Sequence, residues 1–172
     1  ESVIHSAEQA GAFARELQLL LRYIGAGEAN MEKGEMRVEA NISVSKTDML
    51  GTKVEVKNLN SFRSVESAIA FEIKRQTGVL ESGGQVVQET RGWDENKQST
   101  FSQRAKEGST DYRYFPEPDI VPIKLDDKRI EEIRLQLPEL PNERLKKYID
   151  NGVAPADAQI ITVSKALSDF YE

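Results

Sequence analysis

The stretch EMRVEANISV, residues 35–44, decides the fold, because its apolar residues fall at every second position. They are Met36, Val38, Ala40, Ile42 and Val44. Successive side chains of a strand point to opposite faces, so the polar residues between them share the other face. These are Arg37, Glu39, Asn41 and Ser43. The stretch therefore predicts a strand with one apolar face and one charged face.

The segment TKVEVK, residues 52–57, repeats the same alternation after a connecting loop at residues 45–51. Here Thr52, Val54 and Val56 alternate with Lys53, Glu55 and Lys57. Antiparallel pairing of this strand with residues 35–44 is the simplest arrangement, and it places both sets of charged side chains on one face of a sheet.

Helices are predicted on either side of these strands. Ser6 and Gln9 form a capping box, and apolar residues then recur at helical spacing as far as Ile24. Residues 58–61 supply turn and cap residues for a second helix, which ends near Gly78. Residues 85–93 and 100–104 are strand-like. The fold class is therefore predicted as α+β, an antiparallel sheet with helices on one face.

The second part of the chain has a different character. Residues 111–122 are rich in aromatic residues and proline, which favours an ordered, extended loop. Short helical segments separated by Pro138, Pro141 and Pro155 follow from residue 126. We place a domain boundary there, which gives one domain at residues 1–125 and the start of a helical domain at residues 126–172.

Composition limits the classes of function. The net charge of −6 over 172 residues argues against nucleic-acid binding through the overall field, although residues 53–106 carry nine basic and seven acidic residues. The absence of cysteine excludes thiolate metal sites and fits a reducing cytoplasm. No apolar run approaches the roughly 20 residues of a membrane helix. The first residues lack an initiating Met, so we expect the chain to begin inside a longer one.

The charged face has two interpretations. In the first, it is a solvated surface with weak cross-strand ion pairs. In the second, Glu39 and Glu55 supply oxygen ligands for Mg²⁺, and nearby cations contact phosphate oxygens. Those cations are Arg37, Lys53 and Lys57, with Arg91, Arg104, Lys106 and Arg113 on later segments that could return to the same face. Phosphoryl transfer needs this combination, because its catalysis is mostly positioning and charge neutralisation.

Six contiguous motifs are distributed along most of the chain. They are MEKG at residues 31–34, RVEANIS at 37–43, GTKVEVKNLNSF at 51–62, QETR at 88–91, DYRYFPEPD at 111–119 and LPELP at 137–141. In this order, the motifs resemble those of one protein family, the B subunit of the aspartyl/glutamyl-tRNA(Asn/Gln) amidotransferase. Gln103 departs from the methionine expected at that position.

The resemblance implies a glutamine-synthetase-like cradle domain in a cytoplasmic heterotrimer with the A and C subunits of the amidotransferase. ATP, with Mg²⁺, would phosphorylate the side-chain carboxylate of Glu or Asp misacylated on tRNA, and ammonia from glutamine would displace the phosphate. It implies catalytic roles for Glu55, Lys57 and Arg37, and metal binding by Glu39 and Glu55. Nucleotide or acyl-phosphate contacts would come from Lys53, Asn58, Asn60 and Arg91. The family's upstream Gly-Leu-Glu-Val-His motif does not occur in this sequence, so we expect the isolated chain to be inactive.

Two other functions stay open at this point. The chain is a non-catalytic module that holds tRNA phosphates with the same cations, or it is an assembly piece that docks on partner subunits through residues 112–122. The first alternative predicts salt-sensitive RNA binding that ignores Mg²⁺-nucleotide.

Overall fold

A computed structural model describes residues 3–105 and 118–172. The chain divides into two compact units, one of residues 1–18 and 27–107 and the other of residues 19–26 and 108–172. Most of the loop predicted at residues 111–122 lies outside the described residues, as do Lys106 and Arg113. The domain boundary placed at residue 126 stays a prediction.

Within residues 3–105, the first unit is built on a four-stranded sheet in the order β1-β2-β3-β4. Its elements are α1 (Ala7–Tyr23, which continues into the second unit), β1 (Val38–Ile42), β2 (Val54–Leu59), α2 (Phe62–Glu81), β3 (Glu89–Asp94) and β4 (Ser99–Ala105). The predicted α+β class is confirmed. The prediction of an antiparallel sheet is wrong at one pair, because β2 and β3 run parallel. The 20-residue helix α2 separates these two strands and returns the chain to the same end of the sheet.

Both helices of the first unit pack on one face of the sheet, as predicted. The Ser6 hydroxyl accepts a hydrogen bond from the Gln9 N–H at the start of α1, and Ser61 caps α2 by accepting from the Ser64 N–H. The core contains residues from both helices and from three strands, namely Ala7, Ile42, Val56, Leu59, Val65, Ala68, Ile69 and Trp93. The other face of the sheet therefore carries no helix from the described part of this unit.

A carboxylate lies inside this core. Glu72 of α2 is 0% exposed, and its oxygens accept hydrogen bonds from Arg75, Gln76 and Thr100. Gln76 also bonds the backbone beyond α2, since its Oε1 accepts from the Val44 N–H at 3.1 Å and its Nε2 donates to the Ile42 carbonyl at 3.2 Å. A buried charge is tolerated only when it is paired and hydrogen-bonded, and Glu72 meets this condition. The network joins α2 to β1 and β4.

In the described part of the second unit, at residues 118–172, the chain forms four short helices, which confirms the helical segments predicted around the prolines. They are α3 (Asp127–Gln136), α4 (Pro141–Asp150), α5 (Pro155–Thr162) and α6 (Lys165–Tyr171). The Tyr23 hydroxyl donates to the Thr162 carbonyl at 2.8 Å, and Arg144 pairs with Asp169 at 2.6 Å. Hydrogen bonds from Lys165 and Arg144 lower the pKa of Asp169. Throughout residues 3–105 and 118–172, every helix is too short or too polar to cross a membrane.

Asn58 introduces a bulge into β2. It has a left-handed backbone with φ of 66°, and β1 pairs Ala40 with Val56 but Val38 with Leu59, so β2 holds one extra residue. The extra residue turns Leu59 into the core, although strict alternation from Glu55 and Lys57 would place it on the charged face. The side-chain Nδ2 of Asn58 donates to the Trp93 carbonyl at 3.0 Å.

We expect Asn58→Val to destabilise the chain more than Asn58→Gly. Glycine adopts the left-handed conformation freely and loses only the hydrogen bond to Trp93, about 1 kcal/mol. Valine loses the same bond and adds roughly 1–2 kcal/mol of backbone strain, because its branched side chain is crowded at positive φ. Denaturant unfolding of the two variants measures the difference, and equal stabilities would show that the left-handed backbone at position 58 adds no strain to a branched side chain.

Candidate active site

The structure brings together the charged side chains predicted on β1 and β2. The ammonium of Lys57 lies 3.7 Å from Oε1 of Glu39 and 3.7 Å from Oε1 of Glu55. Arg37 contacts the same oxygen of Glu39 through Nη2 at 2.8 Å. Two cations and two carboxylates thus form one connected cluster at the predicted location.

We call the sheet face that carries this cluster the charged face, and define it by Glu39, Asn41, Glu55, Lys57 and Thr90. Its position follows from strand register. Asn41 lies opposite Glu55 in the antiparallel pair, and Glu55 lies opposite Thr90 in the parallel pair. Residues with the other parity, such as Ile42 and Val56, point into the core.

Exposure falls steadily across the cluster. The exposed side-chain fraction is 80% for Arg37, 39% for Lys57, 26% for Glu39 and 15% for Glu55. Charges that are partly withdrawn from water interact more strongly than charges on an open surface. Glu55 is therefore the most enclosed member of the cluster, and Arg37 is the most exposed.

Thr90 belongs to the charged face and was not among the residues expected there. Its hydroxyl donates to Oε2 of Glu55 at 2.9 Å, and the residue is 9% exposed. The sequence offers no local signal for this contact, because the two residues lie 35 positions apart and meet only through the parallel register of β2 and β3.

Arg91 does not join the charged face, so the expectation that it returns there is wrong. Arg91 lies opposite Val56, on the core side of the sheet. Its Nε donates to the Thr100 hydroxyl at 2.8 Å, its Nη2 donates to the Thr100 carbonyl at 2.9 Å, and its Nη1 pairs with Glu89. Burial acts to raise the pKa of Glu89, but hydrogen bonds from Ser102 and Arg91 lower it. The role of Arg91 as a nucleotide contact stays a prediction.

The other predicted nucleotide contacts lie outside the cluster. Lys53 is exposed and comes directly before β2. Asn58 and Asn60 line a separate cavity of about 320 Å³ at the end of β2. Glu95 borders the same cavity, and hydrogen bonds from Ser64 and Trp93 lower the pKa of its carboxyl group. For Arg104, which was predicted only as a cation on a later segment, the structure gives the backbone register, opposite Thr90.

A larger cavity lies along β1 on the helix side of the sheet. It measures about 720 Å³ and is lined by α1, by β1 with its flanking residues and by one side of α2. Arg37, Glu39 and Asn41 are among its lining residues, together with core-side residues such as Val65 and Ile69. Ligand pockets in proteins typically measure about 300–1,000 Å³, so the cavity has the size of a ligand pocket, but it opens on the face opposite the charged cluster.

The donor set of the cluster fits Mg²⁺ that arrives with a phosphate ligand. The carboxylates of Glu39 and Glu55 converge on one position, which the Lys57 ammonium takes as the cation. Within the described part of the chain, no three His, Cys, Asp or Glu side chains gather as a closed metal site. Mg²⁺ usually binds through one or two carboxylates, several waters and substrate phosphates, so two carboxylates suffice.

The fold and the cluster define an α+β domain with a charged sheet face suited to Mg²⁺ and phosphate. Residues 1–131 match the family model described as the GatB/GatE catalytic domain. The chain therefore belongs to this family, which confirms the resemblance drawn from the motifs.

Its relatives are proteins of much greater length. The chain is 49% identical over 173 residues to the B subunit of the aspartyl/glutamyl-tRNA(Asn/Gln) amidotransferase of Deinococcus radiodurans, covering 100% of this chain and 36% of that protein. It is 49% identical over 175 residues to the B subunit from Caldicellulosiruptor saccharolyticus, and the match covers 100% of this chain and 36% of that protein. It is 44% identical over 172 residues to the B subunit from Carboxydothermus hydrogenoformans, and this match covers 98% of this chain and 36% of that protein. The chain thus spans about a third of the length of these relatives.

Proposed function

We propose that this chain contributes the carboxylate-activating site of a tRNA-dependent amidotransferase. In this proposal the charged face binds Mg²⁺-ATP and the side-chain carboxylate of Glu or Asp carried by a misacylated tRNA. The observation that supports it most is the placement of Lys57 between Glu39 and Glu55, with Arg37 on Glu39, in a member of this family.

The reaction has two steps. An oxygen of the substrate carboxylate attacks the γ-phosphorus of ATP, the bond from that phosphorus to the β,γ-bridging oxygen breaks, and ADP leaves. Ammonia then attacks the acyl carbon, a carbon–nitrogen bond forms, and phosphate leaves while nitrogen gives up a proton. The enzyme is thus a ligase.

The residues of the cluster would act by holding charge in place. Both steps concentrate negative charge on phosphate oxygens, and cations fixed beforehand stabilise such charge without reorganisation. Arg37 and Lys57 are these cations, and Glu39 and Glu55 would hold the Mg²⁺. When bound, Mg²⁺ would neutralise part of the negative charge on the phosphate oxygens.

Partners follow from the same proposal. The relatives are named as B subunits, so the A and C subunits of the amidotransferase would accompany this chain, with the A subunit releasing ammonia from glutamine. The net charge of −6 gives the chain little general attraction for RNA, and tRNA contacts would be local.

Calorimetric titration of the complex with Mg²⁺-ADP tests the proposal. We expect Glu55→Gln to weaken binding by at least about tenfold, since even the loss of a residue that only orients a metal ligand typically weakens metal binding by about 10–100-fold. Glu66→Gln is a matched control, because Glu66 of α2 also pairs with a basic side chain, that of Arg15 at 2.7 Å, but lies off the charged face. The complex with Glu66→Gln should bind Mg²⁺-ADP with the same affinity as the unaltered complex.

Two outcomes would contradict the proposal. Unchanged Mg²⁺-ADP affinity in Glu55→Gln would remove this carboxylate from nucleotide binding. Absence of nucleotide binding in the unaltered complex, together with salt-sensitive binding of RNA, would favour the non-catalytic tRNA-holding module instead.

A further inference from the structure

Thr90 occupies the centre of the sheet. It lies on β3, which has β2 on one side and β4 on the other, and only 9% of the residue is exposed. Its side chain points to the charged face, where the hydroxyl donates to Oε2 of Glu55 at 2.9 Å. The other oxygen of Glu55 is directed towards Lys57 at 3.7 Å. Thr90 and Lys57 thus lie against different oxygens of the Glu55 carboxylate.

The direction of the Thr90 hydroxyl is fixed from the opposite face of the sheet. The next residue, Arg91, is anchored there by two hydrogen bonds to Thr100, and the register of β3 against β4 shifts between Thr90 and Arg91. A β-branched side chain has few alternative χ1 rotamers in a strand. The hydroxyl is therefore a fixed donor, which a flexible side chain at this position would not provide.

We propose that Thr90 is a positioning residue, which holds the Glu55 carboxylate in the orientation that binds the Mg²⁺ of a bound nucleotide. The inference rests on the proposed function of the charged face. A carboxylate that ligates a metal is commonly held by a hydrogen bond from a second residue, and loss of that bond typically weakens metal binding by about 10–100-fold. Thr90 supplies such a bond to the most enclosed carboxylate of the cluster.

The variants Thr90→Val and Thr90→Ser separate the hydroxyl from the shape of the side chain. Valine keeps the branched shape and lacks the donor, whereas serine keeps the donor. The measurement is the Mg²⁺ concentration that gives half-maximal ADP binding in the complex. We expect this concentration to rise by about tenfold in Thr90→Val and to change by less than about threefold in Thr90→Ser.

A purely structural role for Thr90 would give a different pattern. It would lower the thermal stability of the complex and weaken the binding of ADP without Mg²⁺ as much as with it. The proposal requires the binding of ADP without Mg²⁺ to stay unchanged in Thr90→Val. If valine prevents folding, Thr90→Ala takes its place, because the smaller side chain fits the same space.

The double variant Glu55→Gln, Thr90→Val adds a test of coupling. If Thr90 acts through Glu55, the double variant should need no more Mg²⁺ than Glu55→Gln alone. A further rise equal to the effect of Thr90→Val by itself overturns the inference.

The inference and the proposed function fail in distinguishable ways. An unchanged Mg²⁺ requirement in Thr90→Val, with a raised requirement in Glu55→Gln, overturns the role of Thr90 and leaves the proposed function standing. An unchanged requirement in both variants overturns both.

Discussion

Glu72→Ala is expected to lower the free energy of unfolding by about 3–5 kcal/mol, since breaking a buried ion pair leaves its partner charge uncompensated. Glu72 is fully buried and accepts hydrogen bonds from Arg75, Gln76 and Thr100. Alanine would leave the Arg75 guanidinium and the Gln76 amide without this acceptor and would open a cavity under α2. The loss of charge and the loss of packing therefore act in the same direction.

Denaturant unfolding of the chain measures this effect. Glu81→Ala is the matched control, because Glu81 is the last residue of the same helix and is exposed, so its removal should change stability by less than about 0.5 kcal/mol. Glu72→Gln keeps the shape and one acceptor oxygen and should fall between the two. Similar stabilities for Glu72→Ala and Glu81→Ala would show that the network adds nothing to the fold.

Glu55→Gln and Glu39→Gln are each expected to reduce the amidation of misacylated tRNA in the complete amidotransferase. Loss of one preorganised electrostatic contact typically costs about 10²–10³ in kcat. The larger loss is expected for Glu55, since its side chain is 15% exposed against 26% for Glu39, and Thr90 holds it in place. Hydrolysis of glutamine should persist in both variants, because the proposal assigns it to a different subunit.

Parallel assays of both activities on the same preparation check this expectation. Glu66→Gln, off the charged face, serves again as the control for the loss of a carboxylate. Amidation at the unaltered rate in both Glu39→Gln and Glu55→Gln would remove these residues from the mechanism. A matched decline of both activities would point to a defect in assembly rather than in carboxylate activation.

The charged cluster was predictable because it depends on local periodicity. Within a strand, alternation alone puts Arg37 beside Glu39, and Glu55 beside Lys57. A single antiparallel pairing then brings the two sets together, and the structure has this pairing. The resemblance to the family, carried by contiguous motifs in the same strands, included these four residues, but it also included four that lie outside the cluster, namely Lys53, Asn58, Asn60 and Arg91.

The side of the sheet on which Arg91 and Leu59 lie could not be predicted from local alternation. Arg91 lies on the core side because β3 pairs with β2 in a parallel register, which depends on the whole length of α2. Leu59 is buried because Asn58 adopts a left-handed backbone that inserts one residue into β2. Neither property is encoded in the period of the neighbouring residues.

The burial of the polar network around Glu72 could have been predicted from the sequence. A search for buried positions that considers only apolar residues misses it. Glu72 and Gln76 follow Val65 and Ile69 at helical spacing, so they continue the buried stripe of α2. An interpretation that accepts polar residues on such a stripe would have placed them in the core. Their partner Thr100, 28 residues further on than Glu72, would still have needed the structure.

The parallel junction between β2 and β3 also bears on how the sheet assembles. Antiparallel pairs form from each side of this junction, β1 with β2 and β3 with β4, and each pair closes only a short loop. The contact between the halves must close a loop that includes all of α2, which costs more chain entropy than either hairpin. Glu55 lies on β2 and Thr90 on β3, so the two residues are on opposite sides of this junction. The hydroxyl of one half therefore reaches the carboxylate of the other only when the halves have joined, so the Thr90–Glu55 contact forms in the same step as the sheet.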